Sequence, residues 1–394
     1  MTRRLSTVVE EPVEGWIPLS DPDLTARELA AVDRALRGTQ LAMGAGVARF
    51  EEAFAAYAGR RHAVAVASAA LGLLLVLAAK GIGPGDEVIV PAHGFRETAH
   101  AVLLGGARPV FADIDYWTGS LAPSKVEPRI TPATRAILAA NTAGHPAAWP
   151  ELRALADAHG LFLIEDSSEA IGSRHVAGPV GSFGDVALFD FGQPGTICCG
   201  EGGMVVTDDV DLAMAVRRLR ARSPDERGSV SAATAAPYQA GMSELTAALG
   251  LAQLERIDVL LERRRHVQDV YFNFLRSFEG VKDPYVAPYA EQVNWFLYVV
   301  HLGTRFTRSA RDQIIEDLRT EAIEAAPYSV PIHLQRRYRD LGWKKGDLFV
   351  TEKVADRAVA LPFHAHLSEE QIAFVVARLK DAATNVGAGT PIYL

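Results

Sequence analysis

Cysteine is scarce in this chain, and lysine is missing from its middle. The 394 residues hold two cysteines, the adjacent Cys198 and Cys199. Adjacent cysteines fit neither a disulfide framework nor a zinc site, so both read as small buried residues, with a reactive thiol as the alternative. No lysine stands between Lys125 and Lys282, and no histidine between His175 and His266. Chemistry housed there must do without a primary amine or an imidazole from that stretch. No run reaches the roughly 20 apolar residues that span a bilayer, and the start of the chain, with Arg3 and Arg4, lacks an apolar leader core. The chain reads as cytoplasmic, with no membrane partner. Excess positive charge is absent too: the net charge is −8 and the pI about 5.8. That balance opposes nucleic acid as a partner and suits small metabolites.

What is present is enough apolar material, 49% of residues, for more than one core. A chain of this length predicts a large domain and a smaller one. The expected division is an N-terminal arm over 1–20, a large α/β domain over 21–255 and a small C-terminal domain over 256–394. Helical periodicity covers Leu24 to Arg37 and Val47 to Ala58. Extended and helical signals then alternate. Strands are expected at His62 to Ala67, Glu87 to Val90, Pro109 to Ala112, Arg135 to Ala140, Leu161 to Glu165 and Gly202 to Thr207. Helices are expected at Leu71 to Ala79, Thr98 to Leu104, Trp149 to His159 and Val210 to Arg222. This alternation predicts an α/β sandwich with a mostly parallel sheet. Ser223 to Ala236 reads as a mobile loop, and Ser243 to about Phe278 as one long helix. A strand at Trp295 to His301 and helices at Ala310 to Glu321 and Glu369 to Lys380 complete the pattern.

The run Phe189-Asp190-Phe191-Gly192-Gln193-Pro194-Gly195, followed by Gly200-Glu201-Gly202-Gly203, resembles the cofactor-lysine segment of the DegT/DnrJ/EryC1/StrS sugar aminotransferases. Their pattern is Phe-Ser-Phe, two or three variable residues, a lysine, then Gly-Glu/Asp-Gly-Gly. Further similarities occur in order at Gly81 to Ala92, Gly144 to Ala147, Ile164 to Gly172, Ala247 to Leu254, Pro331 to Gln335 and Leu361 to Phe363. The resemblance implies the fold type I architecture, with a smaller C-terminal α+β domain, a homodimer with interfacial active sites, and a pyridoxal or pyridoxamine phosphate cofactor. It also implies where this chain departs. Gly195 stands at the lysine position, and glycine can neither form a Schiff base nor shuttle a proton. Ser68-Ala69-Ala70 replaces the Ser-Gly-Thr that holds the phosphate at a helix N-terminus. Asp190 replaces the phosphate-contacting serine, Glu169 a glutamine beside the cofactor's phenolic oxygen, and Gln239-Ala240-Gly241 a segment that carries an arginine. Asp166 keeps the aspartate that pairs with the ring nitrogen, and Phe95 falls near the stacking aromatic. Cofactor binding is therefore expected to be weak or absent.

Three readings follow. One is a repurposed, cofactor-independent enzyme of sugar or secondary-metabolite biosynthesis, in which Asp166, Glu169 and Asp190 form an acidic cluster. Neighbouring carboxylates raise one another's pKa and can supply both general acid and general base. A divalent cation is another way to neutralise them. His93 and His333 are further catalytic candidates, with Arg96 and His145 as additional groups. The second reading is a non-catalytic paralogue that pairs with an active aminotransferase. The third is an aminotransferase or dehydratase of a nucleotide-linked keto-sugar that still uses the cofactor.

Overall fold

The computed structural model describes residues 15–221, 238–276 and 278–388. The Ser223 to Ala236 segment and most of the 1–20 arm lie outside them. Seven strands form the central sheet: β1 His62–Val66, β2 Glu87–Pro91, β3 Arg108–Ala112, β4 Thr134–Ala140, β5 Phe162–Asp166, β6 Val186–Asp190 and β7 Gly203–Thr207. Their spatial order is β1-β7-β6-β5-β4-β2-β3. β7 runs antiparallel to β1 and β6, and the other neighbouring pairs are parallel.

The strands are short apolar runs because helices cover both faces of the sheet. Side chains alternate between the two sides with the strand period. Ile164 and Val205 point into a core with Leu73, Val76 and Leu138. Val206, next to Val205, joins Phe50, Phe54 and Phe189 on the opposite face, and Leu163 joins Ile137 and Trp149. Helix Ala69–Ala79 has no polar side chain and is buried along most of its length, as a helix wedged between sheet and outer layer must be. Helix Trp149–His159 starts with Pro150 in its first turn and stops at Gly160 in the left-handed conformation, which explains why its bounds were legible.

The expected long helix is two, Glu244–Leu254 and Ile257–Leu275, separated at Glu255 and Arg256. Arg256 is turned to a different task. Its guanidinium meets Asp23 Oδ1 at 3.0 Å and Glu28 Oε1 at 3.2 Å. Glu28 also closes a capping box with Thr25 at the start of helix Ala26–Leu36. This buried ion cluster ties the first helix to the helix break.

A second, antiparallel sheet follows, in the order Val281–Lys282, Tyr298–Leu302, Ala358–Leu361, Ala326–Pro327. It packs with helices Ile257–Leu275, Arg308–Thr320 and Glu369–Ala388 around Tyr271, Tyr298, Ile314, Leu361 and Val376. The Tyr271 and Tyr298 rings stack at 4.4 Å. No helix among the described residues is long and apolar enough to cross a membrane. One consequence of the central sheet matters most. The C-terminal ends of β1, β2, β4, β5 and β6 deliver Ser68, His93, Ala143, Asp166 and Asp190 to one edge, the edge where open α/β sheets bind ligands.

Candidate active site

Asp166 closes β5 and is buried. Its Oδ1 accepts the Ser168 N–H at 3.0 Å. Burial raises its pKa to about 6, against the Ser168 hydrogen bonds, and Asp190 and Glu165 push the same way. Glu165, one residue earlier, points to the other face. Its carboxylate accepts from Asn141 Nδ2, Ser167 Oγ and the Gly181, Phe183 and Gly184 N–H groups, a structural role.

Glu169 lies deep but keeps part of its surface open. Its Oε2 accepts two hydrogen bonds, from the Ala143 N–H and from the Tyr328 hydroxyl, both at 2.5 Å. Ala143 can aim its N–H there because it adopts φ +54° within the turn Thr142–Gly144, a conformation that costs a non-glycine residue roughly 1 kcal/mol or more. Oε1 has no partner among the described residues. Burial raises the Glu169 pKa to about 7, against the pull of Tyr328 and Ala143, and Asp166 adds to the rise. The Tyr328 hydroxyl is pushed well above its ordinary range by burial and by Glu169. His93 packs edge-on to Tyr328, with ring centroids 5.2 Å apart. It is buried, its Nδ1 lacks a partner among the described residues, and burial lowers its pKa to about 3. His93 is therefore a neutral wall of the site.

Asp190 ends β6 and has both oxygens engaged. Oδ2 accepts the Ala69 N–H at 2.8 Å and Oδ1 the Gly192 N–H at 2.8 Å. Ser68 caps the same helix, its Oγ accepting the Leu71 N–H at 3.2 Å. Gly203, opposite Asp190 on β7, permits this closeness, because a Cβ there would lie 2.6 Å from Ala69 N. Burial raises the Asp190 pKa, opposed by its two backbone donors, with Glu201 and Glu97 adding to the rise.

The structure thus brings Ser68, Ala69 and Ala70 together with Asp190, and Asp190 and Glu169 each into electrostatic reach of Asp166. Phe95 caps helix Arg96–Leu104 on the loop that carries His93. Other candidates go elsewhere. His333 packs against Phe111 and Trp343 with Nε2 3.1 Å from Glu352, because its turn leads into the outer layer beside β3. His145 holds the Pro146 carbonyl through Nδ1 at 2.7 Å and accepts the Ala287 N–H at Nε2, so it is a buried, neutral strut. Arg96 is exposed and paired with Glu97. Gln239 is exposed with φ +51°, in an apolar hollow with Met43, Ala221 and Met242, and no contact among the described residues joins it to Asp166. The thiols of Cys198 and Cys199 are buried and burial raises both pKa values, which supports the reading of both as small buried residues. No group of three or more His, Cys, Asp or Glu side chains among the described residues is arranged to hold a metal ion. A groove of about 1060 Å³ lies at the opposite edge of the sheet. Arg60 and Arg61 there pair with Asp208, and the groove includes none of these residues. Tyr328 and Ala143 escaped sequence reasoning; the available signals were that Tyr328 lies just before the Pro331 to Gln335 motif and Ala143 just before the Gly144 to Ala147 motif.

A model of the DegT/DnrJ/EryC1/StrS aminotransferase family matches residues 22–380. The chain belongs to that family. It is 38% identical over 338 residues to the GDP-perosamine synthase of Caulobacter vibrioides, covering 86% of this chain and 90% of the relative. It is 33% identical over 377 residues to the spore coat polysaccharide biosynthesis protein SpsC of Bacillus subtilis, covering 93% and 97%. Among solved structures it resembles DesV of S. venezuelae in complex with a ketimine intermediate, with a TM-score of 0.85, 33% identity and coverage of 93% of this chain and 98% of that one. The fold is the fold type I architecture that the sequence implied.

The family's cofactor can be tested against the residues present. A phosphate on the helix Ala69–Ala79 terminus competes with the Asp190 carboxylate for the Ala69 N–H. β5, β6, β7 and the loops between them contain no lysine. A side chain at position 195 would begin 3.0 Å from the Gly192 carbonyl and 3.1 Å from that of Ile197, tighter than ordinary contact. Asp166 alone matches the group, at its ring nitrogen. As a set, the residues do not fit pyridoxal phosphate.

Proposed function

We propose that this DegT-family protein performs proton transfer without pyridoxal phosphate on a sugar-bearing biosynthetic intermediate, with Glu169 as the group that carries the proton. The observation that carries this reading is the Glu169 site itself. Both hydrogen bonds fall on Oε2, so Oε1 is the free position for a proton, and burial poises the carboxyl at about 7. A general acid or base works best when its pKa lies near the working pH. As a carboxylate, Glu169 takes a proton from a carbon beside a carbonyl. The C–H electron pair becomes the C=C of an enediol as a proton reaches the carbonyl oxygen. The proton held on Oε1 then returns to the former carbonyl carbon, and the group that protonated the oxygen recovers a proton from the hydroxyl on the carbon that lost its hydrogen. The step needs no oxidant and is a net isomerisation. Asp166, whose pKa burial raises to about 6, is assigned the proton for the carbonyl oxygen in this reading.

The name of the Caulobacter relative, a GDP-perosamine synthase, supports a nucleotide-linked sugar as the substrate class. The family architecture supports a homodimer, with a large domain over 21–255 and a small one over 256–394, and the composition supports a cytoplasmic setting. The test is incubation of purified protein with a nucleotide-linked keto-sugar in deuterium oxide, read by mass spectrometry. The native chain should introduce deuterium at carbon with no added cofactor, and Glu169→Gln should slow this by roughly a hundredfold or more. No exchange, or exchange that requires added pyridoxal or pyridoxamine phosphate, would overturn the proposal. An inert chain that nevertheless alters an active relative in mixed dimers would indicate the non-catalytic paralogue instead.

A further inference from the structure

We infer that the Asp190 carboxylate is the resident anion of this site: it occupies the seat an oxyanion ligand would take at the N-terminus of helix Ala69–Ala79, and so sets the cleft's specificity against ligands that bring a phosphate to that end. The inference is independent of the reaction assigned to Glu169.

Helix N-termini attract anions because their first N–H groups lack internal acceptors and the peptide dipoles add. Here those donors are largely taken from inside the protein. Ala69 N–H goes to Asp190 Oδ2 at 2.8 Å, Leu71 N–H to Ser68 Oγ at 3.2 Å, and Gly72 N–H to Ser68 O at 2.9 Å. The Gly72 bond is the first intrahelical one, so of the three preceding donors, Ala69, Ala70 and Leu71, only that of Ala70 lacks an acceptor among the described residues. The carboxylate's other oxygen holds Gly192 N–H, so Asp190 bridges the helix to the loop that carries Gly195. Strand β7 closes one flank, since even a methyl at Gly203 would meet Ala69 N at 2.6 Å. An incoming phosphate would therefore have to displace an anion that is already seated. The chain uses the same device at a second helix, Ala45–Ala58. There Glu244 accepts the Gly44, Gly46 and Val47 N–H groups at 2.8, 2.8 and 2.9 Å. In both places a side-chain carboxylate reaches across the fold to complete a helix start, and only at Asp190 does the seat lie at the edge of the sheet that delivers Asp166 and Glu169.

The experiment uses the full chain and two variants, Asp190→Ser and Asp190→Asn, with inorganic phosphate as the first probe and pyridoxal phosphate against unphosphorylated pyridoxal as the second. Calorimetric titration and the melting temperature in phosphate, against chloride of matched ionic strength, are the readouts. The native chain should show no phosphate-specific rise in melting temperature and no preference for pyridoxal phosphate over pyridoxal. Asp190→Ser removes the carboxylate and offers a hydroxyl, and should bind phosphate at least about tenfold more tightly than the native chain. Asp190→Asn keeps the shape and one acceptor while losing the charge. It should show a smaller gain, and it carries the comparison if the serine variant does not fold. Phosphate binding by the native chain as tight as by the variants, or no gain in a folded variant, would overturn the inference.

Discussion

Replacing Glu169 with glutamine should remove a pH dependence of stability that the fold imposes on itself. The Glu169 carboxyl titrates at about 7 in the folded protein against an ordinary value of 4.5, the difference arising first from burial. The folded state therefore keeps this proton to a higher pH than the unfolded chain. Its stabilising effect is fully present below about pH 4.5 and is lost as pH rises through about 7. Two to three pKa units correspond to about 3 kcal/mol. Asp166, raised from 3.8 to about 6 by burial, contributes a similar fall over a lower window. Native stability should drop by several kcal/mol between about pH 4 and about pH 8, of which Glu169 supplies the upper part. Glutamine keeps the geometry, because a single amide oxygen can accept from both Ala143 and Tyr328 as Oε2 does. The assay is urea denaturation across that range for the native chain, Glu169→Gln and Tyr328→Phe. The glutamine variant should lose the upper part of the fall, between about pH 6 and about pH 8, and keep the part that Asp166 supplies below it. The phenylalanine variant should move it upward, since the Tyr328 hydroxyl holds the Glu169 pKa down. Parallel stability profiles for all three proteins would refute the assignment of Glu169 as the buried group that titrates near neutrality.

Other outcomes can be checked with simple measurements. Arg256→Ala leaves the buried Glu28 carboxylate without its cation and Asp23 with Arg263 alone, and should cost about 3 kcal/mol or less in chemical denaturation. Gly203→Ala should destabilise the junction of β7 with helix Ala69–Ala79, lowering the melting temperature without changing secondary-structure content. Cys198 and Cys199 should resist a thiol reagent in the folded protein and react fully on denaturation, because burial raises both pKa values. Gly195→Lys alone should not confer pyridoxal phosphate binding by absorbance, since Asp190 keeps its seat and the new side chain begins 3.0 Å from a carbonyl.

Much of the large sheet was legible in the sequence because its strands are short apolar runs bounded by turn residues, such as Glu87–Pro91 after Gly83-Pro84-Gly85-Asp86. The sequence pattern of one long helix differs from the two observed helices for a physical reason. Leu, Glu and Arg continue at helical spacing through Glu255 and Arg256, and the break is made by a tertiary ion cluster with Asp23 and Glu28, more than two hundred residues away in sequence. The candidate site divides the same way. Asp166, Glu169 and Asp190 were identifiable because they sit in short motifs at strand ends. Tyr328, 159 residues from Glu169, is brought in only by the fold. His333 was drawn in by a motif, and its turn carries it to Glu352 and Trp343 instead. What Asp190 does could not be read from its identity, since a carboxylate that repels a ligand and one that completes a helix look alike in sequence.

The way Asp190 is seated has a consequence for how such a protein lives in a cell. A diffusible cofactor ties a protein to its supply: part of the population is always empty, and the empty form is less stable by the free energy of binding. A carboxylate carried on the chain has no dissociation constant and is present at one copy per molecule from synthesis onward. The helix start that Asp190 completes is satisfied as soon as β6 docks against helix Ala69–Ala79, by a group that the chain itself carries.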